Sequence, residues 1–156
     1  MRVGITDPSS EASGLLTFAN AVGGYFGSTT SDPIDWLDGQ FVKWHRNFDS
    51  PAKVTVAAVG DAPLSTLILR KSLVNVAATT ASEIKNSKQA SAFAAFPITP
   101  AIAYTAVVAE FGNRAGDLAG TIGSMLVATG WAKASDPQPT LPAGTFVALR
   151  TLWEGK

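Results

Sequence analysis

His45 is the only histidine in the chain, and so the one side chain whose ordinary pKa suits proton transfer near neutral pH. Nucleophilic catalysis would need a nucleophile and an orienting carboxylate beside it. There is no cysteine and no G-x-S-x-G elbow, so His45 reads as a strand histidine facing solvent or nucleic acid, and no catalytic residue is assigned. Asp32, Asp35 and Asp38 recur every three residues. A calcium loop of the EF-hand type needs alternate-residue ligands and a glutamate at its twelfth position, and neither is present. Asp38 belongs to a turn and Asp32 precedes Pro33 at a loop end, which accounts for both without a metal. One histidine and no cysteine leave no zinc ligand set. Gly23-Gly24 and the later glycines match no phosphate or dinucleotide loop, so no cofactor is expected.

The basic residues carry more information. Lys43, His45 and Arg46 fall within one expected strand, Lys53 opens the next, and Arg70-Lys71 follow on a third. They are either ordinary solvated strand positions or a positive face on which Trp44 or Tyr25 stacks against a base. Alternation places Lys43 and His45 on one face and Arg46 on the other, so the basic face is partial. Lys43, His45 and Arg70 are its candidate RNA-binding residues.

Residues 99–130 form the longest segment with a helical period. Tyr104, Phe111, Leu118 and Met125 recur every seven residues, and Gly112, Gly116 and Gly120 stand four apart, followed by Gly123. A glycine inside a helix costs about 1 kcal/mol relative to alanine, so four forgo roughly 4 kcal/mol of propensity. Close approach of another backbone is one compensation. A break at Gly112-Asn113 into two helices is the other, since an unbroken helix of about 30 residues would span roughly 45 Å. Tyr104, Phe111, Gly112, Gly116, Gly120, Leu118 and Met125 are therefore the expected subunit interface. Glu110, Arg114 and Asp117 near the middle of the segment make a membrane span unfavourable.

The elements around these residues read as follows. Residues 2–6 form a short strand stopped at Asp7-Pro8. Residues 19–32 form an exposed loop or arm whose Tyr25 and Phe26 fold back on the body or plug a neighbour. Asp38-Gly39 turns a hairpin between 34–37 and 40–44. Residues 53–59 and 64–76 form an antiparallel pair about a turn at 60–63, because so short a connection cannot cross over. Thr80 and Glu83 have the spacing of a capping box, predicting a helix to about Gln89, while 91–99 continues it or forms a strand. A proline-rich linker from 135 leads to a C-terminal strand ending at Trp153. The fold class expected is α+β: an antiparallel meander, then C-terminal helices packing across a dimer, with a C-terminal strand extension (135–156). One domain spans 1–156.

Charged residues make up 15% of the 156, with Lys plus Arg balancing Asp plus Glu at 12 each. The average soluble protein carries roughly 25%. So few charges favour an oligomer that hides surface, and zero net charge disfavours a dedicated DNA-binding domain. No signal-peptide-length apolar run opens the sequence.

Two pieces, KVTVAAVGDAPLSTLILRKSLV and EFGNRAGDLAGTIGSMLVATG, resemble the paired central strands and the helical segment of single-stranded RNA bacteriophage coat proteins. The resemblance covers under half the chain. It departs at the Thr80–Glu83 capping box and beyond 135. It implies a non-enzymatic virion structural protein, assembled in the host cytoplasm, whose dimers build a shell and whose sheet face meets genomic RNA. A phage tail, neck or decoration protein is the alternative, and a small hydrolytic enzyme using Asp32, Asp35 or His45 a third.

Overall fold

Val3, Gly4 and Ile5 form a three-residue strand, β1 (Val3–Ile5), of which Gly4 and Ile5 are buried. It is the centre of the sheet. In the computed structural model, which describes residues 1–28, 32–57, 62–70, 72–96, 116–129 and 141–155, β1 is flanked by β2 (Val54–Val56) and β3 (Val76–Ala77) in the order β2-β1-β3. Both pairings are parallel, with Val3 opposite Val54 on one side and Val76 on the other. Parallel neighbours require crossovers, and helices supply them. Between β1 and β2 run α1 (Ala12–Phe26) and α2 (Gly39–Phe48), and between β2 and β3 runs α3 (Pro63–Leu69). Beyond the sheet follow α4 (Ala81–Asn86), α5 (Gly116–Ala128) and α6 (Ala143–Glu154).

This is a mixed α/β architecture, and it corrects the antiparallel meander expected from residues 53–76. Of the two expected strands, 53–59 keeps a strand at 54–56, whereas 64–76 is a helix over 63–69 and shares only its last residue, Val76, with β3. Pro63 decides it. Placed at the first helical turn, proline loses only a donor that would be orphaned there, and Pro63 and Leu64 are buried against the sheet. The supposed hairpin turn therefore starts a crossover helix.

The Asp38-Gly39 hairpin is corrected in the same way. Asp38 is the N-cap of α2, its carboxylate accepting from the backbone N–H of Gln40 at 2.8 Å and Phe41 at 3.1 Å. Asp32 likewise caps a 3-10 turn over Pro33–Leu37, accepting from Ile34 N–H at 3.0 Å. Aspartate followed by glycine serves a turn or a cap equally well. The tie is broken by Phe41, His45 and Phe48, whose spacing puts them on one side of a helix.

Residues 19–26, expected as an exposed arm, are the second half of α1, with Ala19, Asn20, Val22 and Gly23 buried. Gly27 ends that helix in the left-handed region (φ 66°), and the N–H of Ser28 returns to the Gly23 carbonyl at 3.0 Å. The expected C-terminal strand is also a helix, α6, in which Phe146, Leu149 and Trp153 share a face at helical spacing and Leu149 and Trp153 are buried. The capping box is present with both reciprocal bonds: Glu83 N–H donates to the Thr80 hydroxyl and Thr80 N–H to the Glu83 carboxylate. Its helix ends at Asn86, and a 3-10 turn at Ala90–Ala92 follows. The start signal at Thr99-Pro100, the break at Gly112-Asn113 and the linker at 135–140 lie outside the described residues.

The core sits between the sheet, α1 and α6. Phe18 and Phe41 are completely buried, joined by Ile5, Leu15, Leu16, Val22, Trp36, Leu149 and Trp153. Phe18 meets the edge of Trp153 with ring centroids 5.3 Å apart, which pins α6 to α1. Full burial of one such side chain contributes about 1.5–3 kcal/mol.

Candidate functional site

In an open parallel sheet the natural binding crevice lies beyond the carboxyl ends of the strands, where the strand order reverses. Here that is the end of β1 and β3, where Thr6, Asp7, Ser9 and Ser10 follow one strand and Thr79, Thr80 and Glu83 the other. α1 approaches this end closely. A Cβ on Gly14 would lie 2.3 Å from the Thr6 carbonyl oxygen, so only glycine fits.

The polar groups at this end are engaged with their own loops. Asp7 accepts from the Ser9 N–H at 2.9 Å and the Ser9 hydroxyl at 2.8 Å. The Ser9 backbone bond holds the Asp7 carboxyl below its ordinary value of 3.8, opposed by burial and assisted by the Ser9 hydroxyl, Trp153 and Ser10. The Thr6 and Ser13 hydroxyls bond each other at 2.8 Å. Glu83 takes the Thr79 hydroxyl and the Thr80 N–H. These contacts start helices and close turns. Among the described residues, no three His, Cys, Asp or Glu side chains cluster as metal ligands would.

The candidate RNA-binding residues do not share a sheet face. Lys43 and His45 belong to α2, where a separation of two turns them to different sides. Lys43 is exposed, whereas His45 is 7% exposed and lies between the rings of Phe18 (5.4 Å) and Phe41 (6.2 Å). Arg70 is exposed at the C-terminal end of α3, on another crossover.

What α2 does present is an aromatic face. Tyr25 lies 5.0 Å from Trp44, and Trp44 stacks on Phe48 at 5.2 Å with 21° between the rings. Phe26 stacks on Phe41 at 5.1 Å beneath them. Tyr25 and Phe26 thus fold back on the body, one of the two alternatives the sequence left open. Trp44 and Phe48 stand one helical turn apart, a spacing hidden by reading the segment as a strand.

Of the expected interface residues, Tyr104, Phe111 and Gly112 lie outside the described residues. Gly116 opens α5 and Leu118 falls in its first turn; Gly120 and Met125 are described and exposed. From 120 to 129 no residue of this helix is buried, and Met125 is 63% exposed. A Cβ on Gly120 or Gly123 would meet nothing within 4 Å. α5 is tied to α4 through its C-terminal carbonyls: the Ser82 hydroxyl and Asn86 Nδ2 (3.2 Å) donate to Thr129, and Lys85 Nζ to Val127 at 3.5 Å. These donors satisfy carbonyls that every helix end leaves open. Among the described residues, no helix is long and apolar enough to cross a membrane.

No family model matches the chain, and no curated protein or solved structure matches it either.

Proposed function

We propose that this protein is a non-enzymatic structural subunit that assembles with copies of itself, burying α5 between subunits. One observation carries the reading: α5 is a helix with no buried residue between 120 and 129, anchored at its C-terminal end. A helix of this length is marginal alone in water and depends on burying an apolar face. Its glycines lower its propensity further. Ile122, Met125, Leu126 and Val127 supply the face, and the open glycines admit a close neighbour. Residues 120–129 carry no charge, so a symmetric contact brings no like charges together. The low overall charge of 15% points the same way.

The setting we propose is a virion, on the sequence resemblance to RNA-phage coat proteins alone. The paired antiparallel strands that carried half of that resemblance are replaced by a parallel sheet and a crossover helix. The helical half, which includes α5, is the part on which the proposal stands. Light scattering together with negative-stain micrographs of the purified protein tests it. Oligomers, and particles or tubes, are expected; a well-behaved monomer at high micromolar concentration rejects self-assembly.

A further inference from the structure

We propose a head-to-tail contact between copies of this chain, in which the acidic apolar turn at Pro33–Leu37 of one copy seats on the basic apolar turn that follows α3 in the next. It rests on the self-assembly reading and uses none of α5. Ile34 and Leu37 stand three residues apart on the 3-10 turn, 69% and 79% exposed, while the buried Trp36 fixes that turn to the core. Asp35 follows Ile34, and Asp32 and Asp38 cap the elements that begin at Pro33 and Gly39. Residues 32–42 carry these three carboxylates and no cation; Lys43 and Arg46 come past the first turn of α2. The second surface is the counterpart of the first. Leu69, 80% exposed, ends α3, and the exposed Arg70 follows it. The Leu73 N–H donates to the Arg70 carbonyl at 2.9 Å, closing a turn flanked by Leu69 and the exposed Leu73. Residues 62–82 hold Arg70 and Lys71 and no carboxylate.

The two surfaces lie on opposite faces of the sheet, so one molecule cannot join them to each other. Successive side chains of β1 point to opposite faces. Ile5 belongs to the core with α1, α6 and Trp36. A Cβ on Gly4 would instead stand 3.3 Å from Val74 and 3.7 Å from Pro63, residues of the α3 crossover. Right-handed crossovers leading to the two edges of a parallel sheet pass over opposite faces, which agrees. A two-fold contact of the acidic surface with itself would set carboxylate against carboxylate. The complementary pairing is head to tail, and such a contact repeats as a ring or a filament. A basic peptide from another protein would cover Ile34 and Leu37 but leave Leu69 and Leu73 bare. A second copy covers both.

The test uses the full chain carrying Met125→Glu, a change the α5 contact would not tolerate, so the two contacts fail separately. Sedimentation velocity at high micromolar concentration should still show association. It should weaken between about 0.1 M and about 1 M salt, as screening shortens from about 10 Å to about 3 Å. In that background Asp35→Arg and Arg70→Asp should each weaken association about tenfold or more, because each sets like charges against each other. Mixed in equal amounts, the two variants should associate as their parent does, since each then offers the other the opposite charge at both surfaces. Leu37→Ser and Leu69→Ser, both at exposed positions, should lower association and leave the circular dichroism spectrum unchanged. A Met125→Glu chain that stays monomeric at every salt concentration overturns the inference and leaves the α5 contact standing. Association that the charge reversals do not change, or that mixing does not restore, overturns it too.

Discussion

Asp7 and Gly14 hold the junction between β1 and α1, and each does so through the backbone. Gly14 lets the first turn of α1 rest against the Thr6 carbonyl, a place where even a methyl group would sit 2.3 Å from backbone oxygen. Gly14→Ala must therefore push the helix off the strand end. Overpacking of this kind costs about 1–3 kcal/mol, and each kcal/mol lowers the melting temperature of a chain this size by about 2–4 °C. Thermal unfolding followed by circular dichroism should show that drop; an unchanged melting temperature would mean the close approach is absent. Asp7 makes a pH prediction. Its folded pKa lies below the ordinary 3.8, so its ionised form stabilises the fold above that value. The contribution fades as pH falls through the folded pKa. Asp7→Asn should thus be less stable than the native chain at neutral pH, with the gap closing below pH 3.8. A gap that stayed constant from pH 7 to 3 would show that the carboxylate's charge contributes nothing.

At the scale of elements, α2 and α5 show opposite relations between period and environment. α2 has Phe41 and His45 buried against α1, and its remaining face carries Lys43, Arg46 and Asn47 to solvent. α5 has an apolar face that is only half-covered at Ile122 and Leu126 and exposed at Met125 and Val127. Met125→Glu should therefore leave the monomer's fold intact, since Met125 is mostly exposed, yet shift the assembly toward monomer by at least tenfold in dissociation constant. Sedimentation velocity would read this directly. If the variant assembles like the native chain, α5 is not the contact. The capping box of α4 was legible from Thr80 and Glu83 because its chemistry is local and directional. The Asp38-Gly39 pair was not, because the same two residues suit a tight turn and a helix start. Only the distant partners of this helix on α1, Tyr25 and Phe26 against Phe41 and Phe18 against His45, decide which face must turn inward.

Across the whole molecule, the two ends of the chain meet. β1 supplies the central strand and α6 closes the core over α1, with Trp153 touching both Phe18 and the Asp7 turn. Trp153→Ala should cost about 3–5 kcal/mol, as other large aromatic truncations in cores do. Chemical denaturation would measure it, and a loss under 1 kcal/mol would place α6 outside the cooperative unit. Val3 to Ile5 was readable as a strand, but its place at the centre was not, since that depends on β2 and β3 arriving from residues some 50 and 70 positions away. The candidate RNA-binding residues scattered for the same reason. Assigning α2 as a strand put Lys43 and His45 on one face, whereas the helix buries His45 and leaves Lys43 outside.

What the sequence determined by itself was local or compositional: the capping box at Thr80–Glu83, the strand at 3–5, the helical period through residues 116–128, and a charged fraction of only 15%. Each of these rests on neighbours within a turn or two, or on composition. Tertiary structure decided the rest. Whether 40–48, 63–69 and 143–154 became strands or helices depended on which side chains found a buried partner, Phe18 and the sheet above all. Short apolar segments satisfy both periods about equally. The burial available at a distance breaks that tie, and it is in no window of the sequence.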